Sequence, residues 1–199
     1  MFFYQNAGRK WDERVSPLTT YFCAGAVGAW RVDRIEAVRG PGLPAAERID
    51  IIDGAEAVAR KDAHWVLCGV RSHLRYTTAE ENVALSRLQP ELGRQAASKA
   101  ALIPIRKNGA WWALAQDERR AIFEENSHHI RIGLDYLPAV ACRLYHCRDL
   151  GEGFDFLTWF EYAPEHAPAF DRLVNALRVT PEWSFVDREI DLRLTRLAG

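Results

Sequence analysis

The chain of 199 residues is long enough for one large domain or two small fused domains, at roughly 150 residues per domain. Apolar residues make up 48% of it and charged residues 27%, which excludes a disordered, collagen-like or coiled-coil protein. Its 26 lysines and arginines nearly balance its 27 aspartates and glutamates, and the formal net charge of −1 argues against nucleic-acid binding.

The sequence carries no targeting signal that we recognise. Charged residues occur from Arg9 onwards, where a signal peptide would have a long apolar run. No stretch approaches the ~18 apolar residues of a membrane span. The cysteines lack CxxC spacing and are four in number: Cys23, Cys68, Cys142 and Cys147. These features predict a cytoplasmic protein with free thiols and no membrane contact.

The first part of the chain is predicted to be rich in strands. Two strands are expected within residues 19–39 and another at 63–71, because apolar and β-prone residues recur there. Between them, residues 40–46 have turn composition, and residues 55–61 are predicted to form a short helix.

Helical patterns dominate the middle of the chain. The segment Thr78-Ala79-Glu80-Glu81 has the spacing of a capping box, which predicts that a helix begins there. A second helix is predicted over residues 111–127. Ser127 is expected to cap a third helix that continues to Ala141, with Pro138 bending it or ending it.

The C-terminal part has the clearest strand. Residues 154–162 alternate so that Thr158 and Phe160 share one face. A helix is predicted over 164–178 and a last strand over 183–194. Strands and helices are mixed without βαβ order, so we predict an α+β protein with an antiparallel sheet, and the element order suggests two similar halves.

Three groups of residues are candidates for chemistry. His128 and His129 are neighbours, about 100° apart on a helix, so at most one imidazole serves a site, and a surface helix start is the alternative. Cys142 and His146 would share a helical face and suggest zinc, but two ligands do not close a site. The pair Trp111-Trp112 fits either a pocket or core packing.

A series of sequence blocks in the second half of the chain is more specific than any of these motifs. The blocks are ALIPIRK at 101–107, WW at 111–112, DERRAIF at 117–123, SHHI at 127–130, YLPA at 136–139, LYHCRD at 144–149, FDFLTWFEYAPEH at 154–166 and EW at 182–183. Together they resemble the chlorite dismutase family, and the chain length resembles that of its short, dimeric members.

The resemblance implies a fold, an activity and a cofactor. The fold would be a dimeric α+β barrel of two ferredoxin-like halves, a trimmed one over residues 1–100 and a haem-binding one over 101–199. The activity would be a haem b oxidoreductase reaction that converts chlorite to chloride and dioxygen. The implied partners are a small anion, chlorite or peroxide, and a second copy of the chain.

The resemblance also implies how haem would be held. His129 would be the proximal iron ligand, and Glu182 would accept the other N–H of its imidazole. Lys107 would pair with a haem propionate. Further contacts to the haem edge or its propionates would come from Ile103, Trp111 and Tyr76, with Arg75 nearby.

The distal side would contain the chain's departure from the family. Thr158, Phe160 and Leu137 would line the pocket, and Gln89 would stand where short members hold a glutamine. The family's distal arginine lies thirteen residues after the proximal histidine, and that position is Cys142 here. Arg143, one residue later, would point about 100° away if the segment is helical.

This departure predicts weakened chlorite chemistry, because a cysteine has neither the charge nor the reach of an arginine. The alternative function is a haem-binding or haem-sensing protein of the same fold, or a weak peroxidase. Decarboxylation of coprohaem by a related family is favoured less, because those enzymes are longer.

Overall fold

The computed structural model describes residues 18–54, 62–71 and 75–197, and in these residues eight antiparallel strands close into one barrel. The predicted helix at 55–61 lies outside the described residues. The strands are β1 Thr19–Gly25, β2 Trp30–Arg39, β3 Arg48–Asp53, β4 Trp65–Val70, β5 Lys99–Lys107, β6 Val140–His146, β7 Phe156–Tyr162 and β8 Val186–Arg196.

The helices lie mostly in the second half of the chain. They are α1 Ala79–Leu88, α2 Gly109–Ala113, α3 Gln116–Arg120, α4 His129–Leu134 and α5 Ala167–Arg178, with a π-helical turn over Ala121–Asn126 and 3₁₀ turns over Arg148–Leu150, Pro164–His166 and Pro181–Phe185. Over the described part of the chain, no helix is both long and apolar enough to cross a membrane.

The barrel consists of two sheets with the same strand order. Around the barrel the order is β1-β3-β2-β8-β5-β7-β6-β4. The first four strands therefore run β4-β1-β3-β2, and the last four repeat this order as β8-β5-β7-β6. The predicted α+β class with antiparallel sheet is confirmed.

Side chains fill the interior of the barrel. Phe22, Trp30, Tyr145 and Trp159 pack there with aliphatic residues from both sheets. Phe22 and Trp159 are almost completely buried, and their rings are 5.9 Å apart. Because this space is occupied by a packed core, a ligand site has to lie outside the barrel.

A second apolar layer covers the outer face of the C-terminal sheet. Side chains alternate along β7, so Leu157 and Trp159 enter the barrel core while Phe156 and Phe160 face outward. Helix α5 packs on this outer face through Phe170, Leu173, Val174 and Leu177. The alternation predicted for 154–162 is confirmed.

Most predicted elements are present, but two helix predictions are wrong. The helix predicted over 111–127 is broken into α2, α3 and the π-helical turn. The helix predicted from Ser127 to Ala141 ends at Leu134, and residues 140–146 form β6 instead. Pro138 cannot continue a helix, and the following residues pair along the whole length of β7.

Candidate functional site

A large cavity lies between the outer face of the C-terminal sheet and the helices that cover it. Its open volume, which includes the solvent space at its mouth, is about 1340 Å³. Strands β5, β6 and β7 form one wall, and α1, α4 and α5 contribute others. Every site residue predicted from the sequence lines it: Tyr76, Gln89, Ile103, Lys107, Trp111, His129, Leu137, Cys142, Thr158, Phe160 and Glu182.

Three of these residues form what we call the proximal cluster: His129, Glu182 and Lys107. The Nδ1 atom of His129 lies 2.6 Å from Oε2 of Glu182. The other carboxylate oxygen of Glu182 accepts a hydrogen bond of 2.7 Å from the ammonium of Lys107. With Nδ1 committed to the carboxylate as its donor, the imidazole has Nε2 left for a ligand.

The left-handed backbone of His128 sets the direction of this imidazole. His128 has a φ of 53° and is exposed, and α4 begins at the next residue, His129. Only His129 of this pair lines the cavity. The ring of Phe123 stacks on its imidazole, with 4.4 Å between the ring centres.

A short turn holds Glu182 in place. Glu182 belongs to the 3₁₀ turn Pro181–Phe185, and its backbone N–H donates to Oγ of Ser127. Arg39 of β2 donates to the carbonyl of Trp183 at the same turn and to that of Val186. Sequence reasoning missed both anchors. Ser127 was predicted to cap a helix, and nothing in the sequence pattern connects Arg39 with a turn 144 residues later.

Charges within the proximal cluster stabilise one another. Burial by itself would raise the pKa of Glu182, but the charges and hydrogen bonds of His129 and Lys107 outweigh it and lower the pKa to about 2. Burial lowers the pKa of Lys107, and Glu182 opposes this effect. The carboxylate is therefore ionised at every physiological pH.

The structure shows what the ammonium of Lys107 contacts within the protein. Its side chain is only 2% exposed, and its ammonium lies on Glu182 and over the ring of Trp111, at 4.6 Å from the ring centre. A buried ammonium needs a counter-charge, and Glu182 already provides it. Lys107 thus supports the carboxylate beside His129, and its pairing with a haem propionate stays a prediction.

A second group of residues, which we call the distal cluster, comprises Gln89, Cys142, Thr158 and Phe160. Cys142 faces the cavity from β6, and Thr158 and Phe160 face it from β7. The amide of Gln89 donates to the backbone carbonyl of Cys142 at 2.6 Å, and the Cys142 thiol donates to the Gln89 side-chain oxygen at 3.7 Å. These contacts are neutral.

The strand conformation of β6 decides which side chains enter the cavity. Cys142, Leu144 and His146 alternate onto the cavity face, and Arg143 does not line the cavity. The expected 100° separation between Cys142 and Arg143 was wrong because the segment is a strand, in which neighbours point to opposite faces. The Cys142 thiol opens onto the cavity, but enclosure by protein raises its pKa to about 11, so it is uncharged near neutral pH.

The structure does not support the interpretation of Cys142 and His146 as zinc ligands. Leu144 stands between them on the same face of β6. Among residues 18–54, 62–71 and 75–197, no group of three or more histidine, cysteine, aspartate or glutamate side chains has an arrangement that would hold a metal ion. The pair therefore lacks the additional ligands of a closed zinc site.

Two buried donors at the cavity wall have no hydrogen-bond partner among the residues that the structure describes. They are the indole N–H of Trp111 and the hydroxyl of Tyr76, whose rings meet edge to face. Tyr76 has a φ of 61°, and Arg120 holds its backbone carbonyl. Buried donors are rarely left unpaired, so this part of the cavity suits a ligand that brings acceptors such as carboxylates. Apolar walls, an available imidazole nitrogen and these donors together fit haem.

Sequence comparison agrees with the geometry. The family model "Chlorite dismutase" matches residues 55–197. A chlorite dismutase of Ideonella dechloratans is 35% identical over 83 residues, which make up 42% of this chain and 27% of that protein. The match therefore spans little more than a quarter of the length of this curated relative.

Solved structures of the same kind are also similar to this chain. A dimeric chlorite dismutase of Nitrobacter winogradskyi is 54% identical, with a TM-score of 0.83 over 89% of this chain and 99% of that one. A chlorite dismutase of Candidatus Nitrospira defluvii in complex with imidazole is 21% identical and shares the fold, with a TM-score of 0.65 over 90% of each chain. Since the family model covers well over half of the sequence, the resemblance is confirmed and this chain belongs to the chlorite dismutase family.

Proposed function

We propose that this protein binds haem b through His129 and decomposes chlorite, ClO₂⁻, to chloride and dioxygen. The observation that carries the proposal is the proximal cluster, in which a half-buried imidazole at the wall of an apolar cavity contacts a buried carboxylate that is paired with a buried ammonium. Haem, when bound, supplies the redox chemistry of the reaction at its iron.

The residues of the proximal cluster have separate tasks in this proposal. His129 would hold the haem iron through Nε2. Glu182 accepts the Nδ1–H, which fixes the ring and makes the imidazole a stronger donor. Lys107 keeps Glu182 charged by lowering its pKa. Trp111 and Tyr76 would donate to the haem propionates, and Ile103 would pack against the haem.

The distal cluster would receive the substrate with little electrostatic help. Cys142 occupies the position of the family's distal arginine, so no guanidinium holds the anion there. Loss of one charge-assisted hydrogen bond costs ~2–4 kcal/mol of transition-state stabilisation, roughly 30- to 1000-fold in rate. Gln89, Thr158, Phe160 and Leu137 would shape the pocket and exclude water, and we therefore propose slow turnover.

One observation favours a second function, haem binding or sensing with at most weak peroxidase activity. The Cys142 thiol is neutral and faces the cavity. A neutral pocket gives chlorite no electrostatic advantage over an uncharged ligand such as hydrogen peroxide. A thiol beside an oxidising iron would also be consumed by the oxidants formed there.

We also propose that the protein is a cytoplasmic homodimer whose halves, 1–100 and 101–199, are ferredoxin-like repeats. The repeated strand order of the two sheets supports the repeats. The dimeric relative of 54% identity supports the assembly. The boundary between the halves falls inside β5. Light scattering on the purified protein would test the dimer.

Oxygen release tests the main function. Haem-loaded protein is mixed with chlorite at an oxygen electrode, and the oxygen formed is divided by the haem content, with free haem as the control. Sustained release above the control supports chlorite decomposition. If protein that clearly holds haem releases no more oxygen than free haem does, the second function replaces the first.

A further inference from the structure

We propose that Glu189 is a positioning residue for the axial histidine and that it acts through the indole of Trp183. The inference rests on the proposed function, in which His129 binds the haem iron. It assigns a task to a buried carboxylate that lies outside the proximal cluster.

Both oxygens of the Glu189 carboxylate are engaged. Its side chain is completely buried in β8. One oxygen accepts the indole N–H of Trp183 at 2.8 Å, and the other accepts the guanidinium of Arg178, the last residue of α5, at 2.7 Å. Arg178 also binds Asp191, which fixes the guanidinium in turn. The carboxylate therefore has one orientation, since any other leaves a buried charge unpaired.

The indole that Glu189 holds borders two members of the proximal cluster. The Trp183 ring is stacked with the His129 imidazole at an angle of 22°, with 6.4 Å between the ring centres. The ammonium of Lys107 lies over the same indole, 5.5 Å from the ring centre. Rotation of this one ring would disturb both the plane of the imidazole and the cation that supports Glu182.

Trp183 is also the residue after Glu182 in the Pro181–Phe185 turn. Its N–H bond to Glu189 therefore ties the turn to β8, and the guanidinium of Arg39 donates to the Trp183 carbonyl beside it. A stiff turn keeps Glu182 at 2.6 Å from His129. The strength of that hydrogen bond controls how much electron density the imidazole gives to iron.

Three substitutions and a matched control test the proposal in haem-loaded protein. Trp183→Phe keeps a ring but removes its N–H, and Glu189→Gln removes the carboxylate charge. Glu182→Gln, which removes the carboxylate charge beside His129, gives the reference change with which the other variants are compared. The control is Trp159→Phe, because Trp159 also donates its indole N–H to a buried carboxylate, that of Glu161 at 2.9 Å, but its ring lies in the barrel core.

The readouts are the iron–histidine stretching frequency of the ferrous protein, from resonance Raman spectra, and the midpoint potential. We expect Trp183→Phe and Glu189→Gln to lower the frequency and raise the potential by roughly a third or more of the change caused by Glu182→Gln. Trp159→Phe should leave both values close to those of the unchanged protein.

A folded, haem-bound Trp183→Phe protein with unchanged frequency and potential overturns the proposal. The Trp183→Phe result is decisive even if Glu189→Gln does not fold, because Trp183→Phe leaves the pair of Glu189 and Arg178 intact. An equal change of frequency and potential in Trp159→Phe also overturns the proposal, because the loss of any buried indole hydrogen bond would then have the same effect. If Glu182→Gln itself changes nothing, the proposal falls, and haem binding by a His129→Ala protein would trace this failure to the assigned ligand.

Discussion

The two clusters of the cavity are built on different physical principles. In the proximal cluster, the buried carboxylate of Glu182 pairs with the buried ammonium of Lys107 at 2.7 Å and lies 2.6 Å from Nδ1 of His129. In the distal cluster, the polar contacts link an amide, a thiol and a backbone carbonyl, and none of these groups carries a charge. The first arrangement is fixed by electrostatics and the second mainly by shape.

This difference suits the departure from the family that we propose at position 142. A change in the proximal cluster leaves a buried charge without a partner, which is costly. At position 142, a neutral thiol fits between Gln89 and the cavity, and no charge is left unpaired. Under the proposed function, the protein could therefore keep the residues that hold the cofactor while the residues that meet the substrate vary.

The largest effect should come from His129→Ala. Removal of even an outer partner of a metal ligand typically costs 10- to 100-fold in affinity, so loss of the ligand itself should weaken haem binding by at least about 100-fold. Haem titration followed by absorbance measures this. The control is His128→Asn, which preserves an exposed residue in the left-handed region. Equal haem affinity in both variants would contradict the assignment of His129.

The next largest effect should be on the stability of the haem-free protein, where substitutions in the two clusters should differ in cost. Glu182→Gln leaves the Lys107 ammonium buried without its counter-charge, and we expect a loss of ~3–5 kcal/mol in the free energy of unfolding. Adding Lys107→Met should recover much of that loss. Gln89→Leu, which removes a neutral contact in the distal cluster, should cost only ~1 kcal/mol. Urea denaturation measures all three, and equal losses for Glu182→Gln and Gln89→Leu would refute the contrast.

The sequence predicted which residues line the cavity better than it predicted which residues they contact. Residue alternation placed Thr158 and Phe160 on one face without any structure, and the family resemblance supplied His129 and Glu182. The partner of Lys107 was not predictable, because it depends on a turn 75 residues further along the chain. Nor was β6, whose sequence has helix-like spacing and becomes a strand only because β7 pairs with it.

The same limit applies to charged residues of the last strand. Glu189 and Asp191 alternate with apolar residues in the way that exposed positions usually do, yet both are buried. Their burial depends on Arg178, which reaches them from the end of α5. A local pattern gives the period of a strand, but only tertiary packing shows whether its polar face meets water or the guanidinium of a neighbouring helix.

An arginine at position 142 should give the distal cluster a charge, as the proximal cluster already has. Cys142→Arg places a guanidinium at the family's position, and we expect chlorite turnover per haem to rise roughly 30- to 1000-fold. Cys142→Ser has a similar size and no charge, and it should leave the initial rate almost unchanged. If serine raises the rate as much as arginine does, oxidation of the thiol limits turnover and the missing charge does not.

The smallest effect concerns the state of the thiol itself. With a pKa of about 11, Cys142 in the haem-free protein should be a thiolate in only about one molecule per thousand at pH 8, and alkylation by iodoacetamide should accelerate about tenfold per pH unit up to pH 10. Gln89→Leu should slow the reaction further, because the hydrogen bond to Gln89 lowers the pKa of the thiol. Mass spectrometry of the labelled peptide measures the rate, with Cys142→Ser as the background. A rate that levels off below pH 9 would mean that the distal cluster stabilises an anion on the protein, and such a pocket would repel chlorite as well as failing to attract it.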